Sequence, residues 1–235
     1  MSNDSNNLKR VLICGDSFGV TDPEYPDLHF SEKILNSTPP VFELNNLCHG
    51  GDSNGLIVLQ LMQGLQFDPD FVILLFTTPH RHEMDNDDSV YYPTEMSLPA
   101  LQDFRHNRYT TTCYVNDNTS KDSKLINAWN TEIVSDDFEI LKNYFLMNYC
   151  FQLLENRRIP FCYSVGGMVS TDYSTVIDKN FIKNYLVDYA ARALKINLWH
   201  HKTTKPRPYF HVDNDEVQSA FANECLYHLK NAKIV

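Results

Sequence analysis

Four short apolar runs, each cut off by small or polar residues, set the limits on what this chain folds into. Residues 10–14 end at Gly15, and residues 41–47 end before Gly50 and Gly51. The run 71–76 is introduced by Asp68-Pro69-Asp70 and closed by Thr77-Thr78-Pro79, and the run 159–163 ends before Ser164 and Gly166. The unbroken apolar face of 71–76 and the abrupt stop of the first run at Gly15 predict strands buried as in a parallel sheet, while 41–47, which carries Glu43, Asn45 and Asn46, is a further strand candidate.

Segments with helical spacing separate these runs, at 28–35, 53–65 and 136–155. In the last, Phe138, Leu141, Phe145 and Tyr149 recur at intervals of three and four, which predicts the stripe that covers the sheet. Strands alternating with helices predict a three-layer α/β/α sandwich around a mainly parallel sheet, of flavodoxin-like kind, with functional groups at the C-terminal ends of the strands. Residues 172–201 read as one or two further helices. Residues 82–124 are polar and aperiodic and exceed an ordinary connection, so they are expected to form a lid or wall beside the site. One domain over 1–235 is expected, since 43% hydrophobic residues suffice for a continuous core.

The net charge of −10 disfavours broad electrostatic binding to phosphate backbones or anionic lipid surfaces. No run approaches the roughly 20 apolar residues of a membrane helix, and MSNDSNNLKR lacks the apolar core of an export signal. The six cysteines (14, 48, 113, 150, 162 and 225) are scattered and form no C-x-x-C pair. That pattern predicts reduced thiols in a reducing, cytoplasmic compartment.

Two Gly-Asp-Ser triplets offer rival nucleophiles, Ser17 and Ser53. Ser17 directly follows the first apolar run, where a sharp turn exposes a hydroxyl at the sheet edge; Ser53 sits where a helix N-cap is expected. The segment Val11-Leu12-Ile13-Cys14-Gly15-Asp16-Ser17-Phe18-Gly19 resembles the first signature block of SGNH (GDSL-type) hydrolases, in which the serine is the nucleophile. The stretch from Asn45 through Gly51 to Asn54 resembles the second block, whose glycine gives a backbone N–H to the oxyanion hole. Residues 208–216 resemble the closing block, which makes His211 the general base just before a final helix, with Asp213 and Glu216 as its N-cap and N3 pair.

Two positions depart from the family pattern. Where the third block has Gly-x-Asn-Asp, this chain has Phe76-Thr77-Thr78-Pro79-His80-Arg81, so Thr77 or Thr78 is left to replace the asparagine as oxyanion donor. A Thr-rich, Arg-ending block of this kind is similar to that of SGNH-like proteins of tailed bacteriophages. Where the family has an aspartate three residues before the histidine, this chain has Pro208, and a backbone carbonyl, Asp213 or Asp215 is left to orient the imidazole.

The resemblance implies a serine esterase or deacetylase acting through an acyl-Ser17 intermediate. Asp16, Gly51, Thr77 and Thr78 complete the catalytic set, and Asn54, His80 and Arg81 are the substrate-binding candidates. Arg81 suits a substrate carboxylate or phosphate, or a salt bridge to an acidic loop. The implied partner is a small-molecule or glycan ester, without a cofactor or metal. A catalytically degenerate fold serving as a binding or interaction module is the competing reading, motivated by the two departures.

Overall fold

The computed structural model describes residues 8–22, 24–37, 42–79, 82–85, 109–112, 136–166, 187–201 and 211–235. The four apolar runs form strands β1 (Lys9–Gly15), β2 (Phe42–Asn46), β3 (Phe71–Leu75) and, last in the chain, β6 (Phe161–Ser164). They make one parallel sheet in the order β2-β1-β3-β6. The helices are α1 (Phe30–Ser37), α2 (Asn54–Gly64), α3 (Asp136–Asn156) and α4 (Asp215–Asn231).

Period-two side-chain alternation divides the core into two layers. Val11, Ile13, Phe71, Ile73, Leu75 and Cys162 face one way and pack with Phe30 and Ile34 of α1 and Phe221, Cys225 and Leu229 of α4. Leu12, Cys14, Val72, Leu74, Phe161 and Tyr163 face the other way, against Ile57 and Leu61 of α2 and Met147, Phe151 and Leu154 of α3. With helices on both faces every central strand is buried twice, which is why these runs show no polar alternation. Each fully buried Leu, Ile or Phe contributes on the order of 2 kcal/mol by removal from water. This is the expected α/β/α sandwich.

Three expectations need correction. The predicted stripe of α3 points outward: Phe138, Phe145 and Tyr149 are 60%, 52% and 47% exposed, while Ile140, Asn143, Met147, Cys150, Phe151 and Leu154 are buried. Both faces of α3 carry apolar residues, so its periodicity alone does not select the inward one. The final helix is capped by Asn214, whose side chain accepts from the N–H groups of Glu216 and Val217, so the expected Asp213 cap lies one residue too early. Described parts of 172–201 are 3-10 turns, Val187–Arg192 and Leu198–His201, because Leu194 and Leu198 are drawn into the core as separate contacts.

Within the polar stretch 82–124, β4 (His82–Asp85) pairs antiparallel with β5 (Tyr109–Thr112). The other residues of that stretch, and with them the expected lid, lie outside the described residues.

Strand order reverses between β1 and β3: from β1 the chain goes to β2 on one side, then returns to β3 on the other. Such a reversal opens a crevice beyond the carboxyl ends of the two strands. Gly15-Asp16-Ser17 leaves β1 there, and Thr77 leaves β3.

Candidate active site

After Gly15 the chain turns through one 3-10 turn, Ser17–Gly19, and Asp16 caps it by accepting the Phe18 N–H at 3.0 Å. The second Asp16 oxygen accepts from the Thr77 hydroxyl at 2.8 Å, which ties the turn to the end of β3. Asp16 thus braces the turn that carries Ser17. Below it, Gln60 of α2 accepts from the Gly15 N–H at 2.7 Å and donates to the Gly15 carbonyl at 2.9 Å and to Asp52 at 2.6 Å. From β2, Asn46 donates to the Gly19 carbonyl at 2.7 Å. Gly19 is required sterically, since a Cβ there would meet Cys48 Sγ at 2.2 Å.

Ser17 is 5% exposed, and its Oγ lies 2.8 Å from Nε2 of His211, which stands just ahead of α4. At this distance the imidazole is placed to accept the hydroxyl proton. The Phe18 ring lies between His211, at 4.9 Å between centroids, and Trp199, stacked at 5.0 Å. Of the two carboxylates considered for orienting His211, Asp215 pairs with Lys33 at 2.6 Å and Asp213 is exposed. Pro208 lies outside the described residues.

Gly51 has φ of 87°, a left-handed conformation that favours glycine, and its neighbour Gly50 is close enough that a Cβ there would stand 3.9 Å from Ser17 Cβ. This loop therefore comes up beside Ser17. In the same loop, His49 Nδ1 lies 3.1 Å from Asp52. Ser53 is buried and caps α2 by accepting the Leu56 N–H, so the second Gly-Asp-Ser begins a helix.

The threonine positions separate. Thr77 is fully buried: its hydroxyl goes to Asp16 and its N–H to Asn54 Oδ1 at 2.8 Å. Thr78 is half-buried. Asn54, expected to touch substrate, is buried instead and returns a hydrogen bond to the Thr77 carbonyl at 3.1 Å and another to Asn143 at 2.7 Å. Asn143 in turn holds the Pro79 carbonyl. This inward pairing satisfies polar groups that α2, β3 and α3 would otherwise bury. His80 and Arg81 lie outside the described residues.

Sequence reasoning missed Gln60, Asn143 and Trp199, and also His29. The His29 ring is buried, with Nε2 3.2 Å from the Phe18 carbonyl and Nδ1 2.7 Å from Ser31 Oγ. A carbonyl only accepts, so Nε2 carries the proton, and Nδ1 accepts from the Ser31 N–H at 3.3 Å, which makes the ring neutral. Burial lowers its pKa to about 4. Nothing in the sequence near His29 announces this role. Among the described residues, no group of three or more His, Cys, Asp or Glu is assembled that would hold a metal ion.

No protein-family model matches this chain, and no curated protein matches it. Solved structures do. The psychrotrophic esterase EstA from Pseudoalteromonas sp. is similar at 11% identity over 95% of this chain and 97% of that one, with a TM-score of 0.50. TesA is similar at 10% identity over 95% and 99%, with a TM-score of 0.51. AlinE4, an SGNH-hydrolase family esterase, covers 95% of this chain and 97% of its own at 14% identity, with a TM-score of 0.43. At such identities the first two likenesses speak for the fold alone: the chain has the three-layer α/β fold that EstA and TesA share.

Proposed function

Starting from that fold, we propose that the chain is a serine hydrolase that cleaves an ester through an acyl-Ser17 intermediate. The observation that carries this reading is the 2.8 Å approach of His211 Nε2 to Ser17 Oγ at the point where strand order reverses. In the first half-reaction His211 takes the Ser17 proton as Oγ bonds to the acyl carbon, and the same proton leaves with the departing alcohol. In the second, His211 takes a proton from water as its oxygen attacks the acyl carbon. Collapse frees the acid and returns a proton to Ser17.

The negative charge that develops on the acyl oxygen is met by the backbone N–H groups of Ser17 and Gly51. Thr78 is the remaining hydroxyl candidate, because the Thr77 hydroxyl is held by Asp16. His80 and Arg81 remain substrate-binding candidates, and Arg81 suits an anionic group on the substrate. The substrate class is a small-molecule or glycan ester, such as an acetylated sugar or polyol, and the chemistry calls for no cofactor. A reducing, cytoplasmic location fits the five described cysteines, none of which is in a disulfide. No helix among the described residues is long and apolar enough to cross a membrane.

The engagement of Thr77 with Asp16 also favours a second reading, a non-catalytic SGNH fold that binds a ligand or partner. Labelling with a fluorophosphonate, followed by peptide mapping, separates the two. Modification of Ser17 is expected for the hydrolase; a folded chain that takes no label supports the binding module.

A further inference from the structure

The nucleophile and the base are joined by a second route besides their own hydrogen bond. Phe18, directly after Ser17, gives its carbonyl to His29 Nε2 at 3.2 Å. The next residue, Phe30, donates its N–H to Gln218 Oε1 at 3.1 Å. Gln218 Nε2 donates to the Val212 carbonyl at 3.0 Å, and Val212 directly follows His211. The circuit Ser17, Phe18, His29, Phe30, Gln218, Val212, His211 then closes at 2.8 Å.

Every link is one peptide or one buried side chain; Gln218 is 2% and His29 1% exposed. The Phe30 N–H is an orphan donor of the first turn of α1, and a helix start would accept any acceptor there. Gln218 spends its other end on the loop that carries the base, and His29 spends its proton on the turn that carries the nucleophile. Burial obliges both side chains to find partners; that those partners are the carbonyls of Val212 and Phe18 is what ties the two loops together.

We propose that Gln218 and His29 are positioning residues, which set the separation of Ser17 and His211 through the Val212 and Phe18 carbonyls. This rests on the serine-hydrolase reading. Releasing either link lets the two loops drift, and a misplacement of about 1 Å costs on the order of 10² in rate.

The test uses the full chain, with p-nitrophenyl acetate as probe ester and a fluorophosphonate as probe of Ser17. Gln218→Met keeps the side-chain length and removes both hydrogen bonds. It is expected to lower kcat about 10- to 100-fold, to leave KM within about threefold, and to slow Ser17 labelling by the same factor. At the other link, His29→Leu is expected to behave likewise, and His29→Gln, which keeps a donor for the Phe18 carbonyl, to recover most of the loss. A folded Gln218→Met with kcat within twofold of the parent overturns the proposal, as does equal activity in His29→Leu and His29→Gln. If Gln218→Met does not fold, the His29 pair decides. A parent chain that takes no label at Ser17 strikes down the hydrolase reading alone. The bracket is then read from the imidazole 15N signals of His211, which move in Gln218→Met if it holds the pair and stay in place if it does not.

Discussion

The turn that carries Ser17 and the loop that carries His211 are built by different means. Around Ser17, side chains hold the backbone of three nearby residues: Gln60 on Gly15, Asp16 and His29 on Phe18, and Asn46 on Gly19, while the Thr77 hydroxyl holds the Asp16 carboxylate. The His211 loop is held by Gln218 at Val212, by the Asn214 cap of α4 and by the face of Phe18. Ser17 is thus fixed by a dense local frame. His211 is fixed by the docking of one helix, so substitutions on the two sides should fail in different ways.

The sharpest break between the sides is chemical. Ser17→Ala is expected to lower p-nitrophenyl acetate hydrolysis by more than about 10⁴-fold while the thermal midpoint stays within a few degrees, because the frame holds the turn without the hydroxyl. Ser53→Ala should do the reverse, keeping activity and costing about 1 kcal/mol through loss of the α2 cap. Inactivation by Ser53→Ala with a fully active Ser17→Ala would overturn the choice of nucleophile.

On the other side, His211→Ala is expected to lower the rate about 10³-fold and to remove the rise of rate with pH, since only neutral imidazole accepts the serine proton. Persistence of that rise in His211→Ala would locate the base elsewhere.

A smaller effect tests what Thr77 does in the frame. If it braces Asp16, Thr77→Val should destabilise by about 1–3 kcal/mol in urea unfolding, leaving a buried carboxylate oxygen short of a donor, and lower the rate less than tenfold. A loss of 10² or more at unchanged stability would mark it as an oxyanion donor instead.

An effect on stability with no expected effect on the chemistry at neutral pH is a pH dependence from His29. Its folded pKa of about 4 lies below the ordinary value of 6.5, so its contribution is fully present above about pH 6.5 and is lost as pH falls toward 4. The full shift corresponds to about 3 kcal/mol. Urea midpoints measured from pH 7 to pH 4 should fall less steeply in His29→Gln than in the parent. Parallel slopes would mean that the ring is accessible to protons in the folded state.

The same contrast explains what could be read in advance. β1 and Ser17 were legible because a buried strand and the turn after it are written in consecutive residues, and Ser53 was legible as a cap for the same reason. His29 and Gln218 were not: a lone histidine and a lone glutamine gain meaning only from partners 11 and 188 positions away. The outward stripe of α3 misled because Asn143 and Cys150 hide the inward one, their burial being set by Asn54, Pro79 and the sheet rather than by hydropathy. Thr77 sits where a replacement for the missing asparagine was sought. Its neighbour Asp16 claims the hydroxyl, which spacing could not reveal.

The Ser17 to His211 hydrogen bond spans 194 positions, and it depends on α4 packing against α1 on the face of the sheet opposite α2 and α3. Bringing segments so distant in sequence together carries a large loop-closure cost, repaid only after the sheet has formed. Refolding from denaturant should therefore restore helical signal and buried tyrosine fluorescence before it restores catalytic turnover. The active centre would be a clock for the last event in assembly, started when the two ends of the fold meet.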